Sequence, residues 1–186
     1  MQYLTIFQKS ALRITPIILN IMVTLVSFGP LSSCKKKEAV IPADTAKTMA
    51  TDFKLKSLSG DSLGLSDYTN KVVVLFFFGY SCSYCKASAP EIQANLVVPY
   101  ASRTDYAVLG LDVWNGLNSA VEAFKNSTGV SFPLMLNASA VGSDYGTTND
   151  RLIIVDQTGY IRFRGNQGAI MDIDAAKQKV NELLAK

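Results

Sequence analysis

The spacing of apolar and polar residues changes several times along this chain, and each change marks a predicted element. From Lys71 to Phe78 every residue after the lysine is apolar, the pattern of a strand buried on both faces in the middle of a sheet. Ahead of it, FKLKSLSGDSLGLSDY predicts two short strands around a Ser59-Gly60-Asp61 turn. Residues 83 to 102 carry Ala87, Ile92, Leu96 and Val97 at helical spacing with Pro90 inside, so a long helix bent at the proline is expected. Tyr106 to Val113 reads as a second buried strand, and Asn118 to Asn126 as a short amphipathic helix with Val121 and Phe124 inward. Arg151 to Val155 and Gly159 to Phe163 predict a hairpin about Asp156-Gln157-Thr158-Gly159. Asp174 to Leu184 then closes the chain as a helix with Ala175, Val180, Leu183 and Leu184 on its apolar side.

Alternating strands and helices need crossovers between parallel neighbours, whereas the late hairpin adds antiparallel ones. The predicted class is therefore α/β: a three-layer α/β/α sandwich with a mixed central sheet. No internal repeat or low-complexity tract competes with that reading.

The first 34 residues follow a different pattern. Lys9 and Arg13 precede the apolar stretch from Ile14 to Phe28, no acid occurs before Cys34, and the stretch is broken by Pro16 and Asn20. At 15 residues it is shorter than the roughly 20 that a spanning helix needs, so residues 1–34 read as a targeting signal. Leu31-Ser32-Ser33-Cys34 resembles a bacterial lipobox, which implies lipidation at Cys34 and anchoring in the cell envelope, facing the periplasm or exterior. A plain cleaved signal with an incidental cysteine is the alternative. Residues 35–50 mix charges with a proline and lack periodicity, as in a flexible tether. A single domain is expected over residues 51–186.

Charge and composition narrow the function. The net charge of +3 comes from five basic residues among the first 37; beyond them 13 Lys and Arg face 15 Asp and Glu, which gives no electrostatic footprint for nucleic acid. Histidine is absent from the chain, so Ser-His and Cys-His catalysis are excluded along with the commonest metal ligand. Three cysteines, Cys34, Cys82 and Cys85, are too few for a disulfide-rich scaffold.

Cys82 falls where the central strand gives way to the helix, and Cys85 lies one turn later. Free N–H groups and the positive end of the helix dipole at that first turn stabilise a thiolate, which makes Cys82 the attacking nucleophile. Cys85, on the same face, can resolve the mixed disulfide. Two other uses of the pair fit less well. Half a zinc site lacks its remaining ligands in a chain without histidine, and a static bridge this short restrains little unfolded-state entropy. No bound cofactor or metal is expected.

KVVVLFFFGYSCSYCKASAPEI resembles the active-site segment of thioredoxin-fold proteins of the TlpA/ResA type. GDSLGLSDYTNKVVVLFFFG and YGTTNDRLIIVDQTGYIRFRG are similar to that family's opening and closing segments, so the likeness runs from residue 52 to about 165. The resemblance implies exported or anchored bacterial proteins that exchange or reduce disulfides of other exported proteins and draw electrons from an upstream donor. It also implies Cys82 as nucleophile, Cys85 as resolving thiol, and Pro90 as the helix-kinking proline.

This sequence departs from the family pattern at three places: Asp150, Phe76 and the Ser83-Tyr84 pair between the cysteines. Asp150 stands where a cis-proline is usual before the LIIVD strand. Its neighbour Arg151, near where peroxiredoxins carry an active-site arginine, would favour a thiolate if turned inward; the plainer expectation for both is a loop of exposed charges. Phe76 replaces an acidic core residue, so proton transfer needs water or another group. Between the cysteines, Tyr84 is expected to cover the sulfurs and to present an aromatic surface. Similarity to copper chaperones of the Sco type fails on cysteine spacing and on histidine. DVWNGLNSAVEAFKNSTGVSFPLML also resembles the wider peroxiredoxin group, which keeps a thiol peroxidase as the second reading. A binding module of the same fold, using a surface near Trp114, is the third.

Overall fold

A computed structural model describes residues 48 to 185; residues 1–34, expected as a targeting signal with Cys34, and residues 35–47 of the expected tether lie outside the described residues. Strands β1 (Lys54–Lys56) and β2 (Ser62–Gly64) form an antiparallel hairpin. Its turn needs a residue without a side chain, because Gly60 sits at φ +97°. The apolar run becomes β3 (Val72–Phe78), in which no residue exposes more than 1% of its surface.

Four residues, Gly79 to Cys82, separate β3 from helix α1 (Ser83–Ile92). Pro90 has no N–H to return to the preceding turn, and the α-helix passes into a π-helical turn at Gln93–Val97 and a 3-10 turn at Val98–Tyr100. The long bent helix expected from residue 83 onward is therefore a chain of three helical geometries. Next come β4 (Tyr106–Asp112), α2 (Asn118–Thr128), β5 (Leu134–Met135), α3 (Ser139–Asp144), β6 (Arg151–Val155), β7 (Ile161–Arg164) and α4 (Ile173–Leu184). Helix α2 runs two residues beyond its predicted end and stops at Gly129, whose φ of +69° closes it in the left-handed conformation.

Five strands form the mixed sheet in the order β5-β4-β3-β6-β7, with β3, β4 and β5 parallel and β6 and β7 antiparallel. Alternation along β3 splits the core into two. Val72, Val74, Phe76 and Phe78 face α1, α2 and α4, meeting Ile92, Phe124, Ala176 and Val180. Val73, Leu75 and Phe77 face the other way, against Phe53, Met135, Val141 and Tyr145. Both faces are covered, though unequally: three helices pack on one, and the short α3 with the β1–β2 hairpin covers the other.

Thr48 to Ala50, assigned by composition to the tether, belong to the folded unit. Ile161 donates its N–H to the Thr48 carbonyl at 2.9 Å, and Ala50 donates to Gly159 at 2.9 Å.

Candidate active site

Strand β3 ends at Phe78, and the loop from Gly79 to Ser81 turns the chain into α1, leaving Cys82 as the helix N-cap at φ −66° and ψ 119°. Its sulfur accepts the Cys85 N–H at 3.1 Å, taking the place usually filled by the oxygen of Ser, Thr, Asp or Asn. Cys85 is held from the other side: Gly79 donates its N–H to Cys85 Sγ at 3.5 Å. Both cysteines are free thiols here, Cys82 6% exposed and Cys85 fully buried. Burial pushes the Cys85 thiol up to about 12, reinforced by its hydrogen bond to the Cys82 sulfur and opposed by Gly79 and Asn149. At neutral pH Cys85 therefore holds its proton.

The residue that sequence reasoning missed is Asn149. Its side-chain amide donates to Cys82 Sγ at 3.2 Å and lies 3.8 Å from Cys85 Sγ, bringing the loop just before β6 onto both sulfurs. In a chain without histidine, this amide is, among the described residues, the side chain that supplies a polar donor to the pair. Its delivery depends on Asp150, which is not the exposed charge expected. Asp150 is 4% exposed, adopts φ +58°, and accepts the Ser88 hydroxyl of α1 at 2.9 Å. Its carbonyl takes N–H groups from Gly168 at 2.8 Å and Ala169 at 3.1 Å. The position usually held by a cis-proline is thus a left-handed aspartate clamped between α1 and the loop before α4, and the structure contains no cis peptide among the described residues.

Arg151 does not turn toward the thiols. It pairs with Phe77 and, by strand alternation, shares the face of Ile153 and Val155, opposite that of the cysteines. Its charge is felt instead at Asp172, whose carboxyl burial pushes up while Asn166 and Arg151 pull it back. Tyr84 is 76% exposed, so it faces solvent and does not lie as a lid over the sulfurs. Phe76 is fully buried and stacks on Phe78 with ring centroids 5.7 Å apart.

A second buried carboxylate organises the loop itself. Asp112, at the end of β4 and fully buried, accepts the N–H groups of Tyr80 at 3.2 Å, Trp114 at 3.3 Å and Gly116 at 2.5 Å. Burial pushes its carboxyl up, against the pull of those three N–H groups. It ties the loop carrying the thiols to the loop carrying Trp114. The Trp114 ring lies so close over Gly79 that a Cβ there would sit 2.3 Å from it, and Tyr80 meets the ring edge-on at 6.2 Å. Gly79 is therefore a close-approach glycine, not a flexible one. Among the described residues no three Cys, Asp or Glu side chains converge as metal ligands.

This arrangement can perform thiol-disulfide exchange: a sulfur at a helix N-terminus, a second thiol one turn away and an amide on both. The comparisons agree. Residues 46–164 match the model of the AhpC/TSA family. The thioredoxin-like protein YneN of Bacillus subtilis is 26% identical over 147 residues, covering 78% of this chain and 84% of that protein. Thiol-disulfide oxidoreductase ResA of Geobacillus kaustophilus is 32% identical over 102 residues, 55% of each chain. A solved structure of a putative protein disulfide isomerase from Bacteroides thetaiotaomicron superposes with a TM-score of 0.68 at 26% identity, covering 75% of this chain and 90% of that one. Together with the paired thiols, these place the chain in the AhpC/TSA family as a thioredoxin-fold thiol-disulfide oxidoreductase of the TlpA/ResA type.

Proposed function

We propose that the protein exchanges or reduces disulfides of exported proteins through Cys82 and Cys85, held at the outer face of a bacterial membrane by lipid on Cys34. The Cys82 thiolate attacks one sulfur of a substrate disulfide, and the other sulfur leaves with the electron pair of the broken bond and takes a proton from water. Cys85 gives up its proton and attacks Cys82, which releases the second substrate thiol and closes the Cys82–Cys85 disulfide. Two electrons have then passed to the substrate, and an upstream dithiol donor restores the pair. The observation that carries this reading is the placement of Cys82 at the α1 N-cap with Cys85 in the same turn and Asn149 donating to Cys82.

The test uses the full chain with Cys34→Ala, so that Cys82 and Cys85 are its only thiols. Equilibrated in glutathione buffers, it should interconvert between dithiol and disulfide, followed by thiol trapping. Failure to interconvert sinks the exchange reading. A Cys85→Ser variant that is sulfenylated rapidly by peroxide would instead support the peroxidase. For the anchor, Cys34→Ala should abolish incorporation of labelled lipid and release the protein from membranes; retained label would exclude Cys34 as the lipidated residue.

A further inference from the structure

Beside the thiols lies an open cavity of about 220 Å³ lined by Tyr84, Asn149, Asp150, Gln167 and Gly168. Asn149 connects it to the reacting atoms, since the same side chain touches both sulfurs. One wall is charged. Asp150 uses Oδ1 to accept the Ser88 hydroxyl, and its carboxylate makes no other hydrogen bond among the described residues. The backbone bonds from Gly168 and Ala169 and the left-handed φ fix where that carboxylate stands. Asp172, whose carboxyl feels the charges of both Arg151 and Asp150, does not line the cavity, and neither does Arg151. A disulfide approaching Cys82 thus brings its flanking groups up to a carboxylate that the ordinary fold position, a proline, would not provide.

We propose that Asp150 makes this cavity a subsite for a cationic group next to the substrate disulfide, so that Cys82 exchanges preferentially with positively charged disulfides. The proposal rests on the exchange reading above and adds a substrate class to it. The exchange step is unchanged: the cation neither gains nor loses electrons, and its charge is met by the Asp150 carboxylate while the S–S bond breaks. Unit charges about 6 Å apart in a wet cleft alter a rate by about three- to tenfold.

The full chain carrying Cys34→Ala is reacted with cystamine, bis(2-hydroxyethyl) disulfide and dithiodiglycolate, which place a cation, a neutral group or an anion beside the disulfide. The Cys82 thiolate itself favours cations, so the measured quantity is the cystamine-to-dithiodiglycolate rate ratio of each variant against the parent. Asp150→Asn, which keeps an acceptor for Ser88, should lower that ratio about three- to tenfold. Gln167→Glu, at an exposed position of the same wall, should raise it, and added salt should shrink both differences. A ratio unchanged in Asp150→Asn overturns the proposal; if that variant does not fold, an unchanged ratio in Gln167→Glu overturns it. Absence of reaction with all three disulfides overturns the exchange reading itself, a separate outcome. Two peptides differing by Lys or Ser beside a disulfide-linked cysteine distinguish the source of the cation. An Asp150-dependent preference among them assigns the subsite to polypeptides, and one confined to cystamine assigns it to small thiols.

Discussion

Asn149 reaches Cys82 from 67 positions further along the chain, and that distance explains why the thiols were legible in the sequence and the amide was not. Two cysteines at i and i+3 after an apolar run are a local signal, complete within the 14 residues from Val72 to Cys85. The role of Asn149 depends on β6 lying antiparallel to β3, with Arg151 opposite Phe77, which brings the start of β6 to the thiol end of the sheet. The available hint was polar: Thr147-Thr148-Asn149-Asp150 stands immediately before an apolar strand. Asp150 stands out in the sequence as a departure from the family pattern, but its burial does not, because nothing local announces a left-handed backbone or the Ser88 hydroxyl beneath it. Asn149→Ala should slow alkylation of Cys82 at pH 7 by about tenfold, the size of one hydrogen bond to a charged acceptor; an unchanged rate would mean that the contact does no chemical work. Because Cys85 is buried and its thiol is pushed up to about 12, iodoacetamide at pH 8 should label one thiol of the reduced pair. Mass spectrometry should locate the label on Cys82, and Cys82→Ser should leave Cys85 almost unlabelled.

Elements with a long apolar period matched the structure closely: β3, β4, α2, the β6–β7 hairpin and α4 all fall within about two residues of their predicted bounds. Helix α3 was not foreseen, since its six residues are too few to show a period. Two buried aspartates at element ends give opposite responses to acid. Asp112, pushed up by burial, favours folding when protonated, so its contribution is present below its ordinary value of 3.8 and is lost as pH rises through its raised pKa. For Asp156, burial raises the carboxyl, but Thr158, Tyr160 and Arg162 together hold it below 3.8. Its contribution is present above 3.8 and is lost as pH falls through the lowered value. Urea unfolding of Asp112→Asn and Asp156→Asn across pH should therefore differ from the parent on opposite sides of about pH 4. Parallel curves would mean that neither carboxylate is linked to folding. Asp112→Ala, which strands three N–H groups, should cost about 2–4 kcal/mol and shift the emission of Trp114, the only tryptophan.

At the scale of the whole molecule, the expected class and sheet type hold, while the unequal cover of the two faces was beyond reach of the pattern. Periodicity says that a strand is buried on both sides without saying by what. Phe76 sits between α1 and the sheet's centre, fully buried, and Phe76→Ala should lower global stability by about 3–5 kcal/mol without removing either thiol. A drop of less than 1 kcal/mol would show that the core can close over the loss. Redox state and folding are linked through the site as well. If the Asn149 amide favours the dithiol, Asn149→Ala should destabilise the reduced protein more than the oxidised one, measured by denaturation in each state. Time gives the same geometry another meaning. At roughly 5–20 residues per second, synthesis delivers Asn149 about 3 to 13 s after Cys82. For that interval the newborn chain carries both sulfurs without the strand that completes their pocket, so the last third of the polypeptide is what turns an early pair of cysteines into a site.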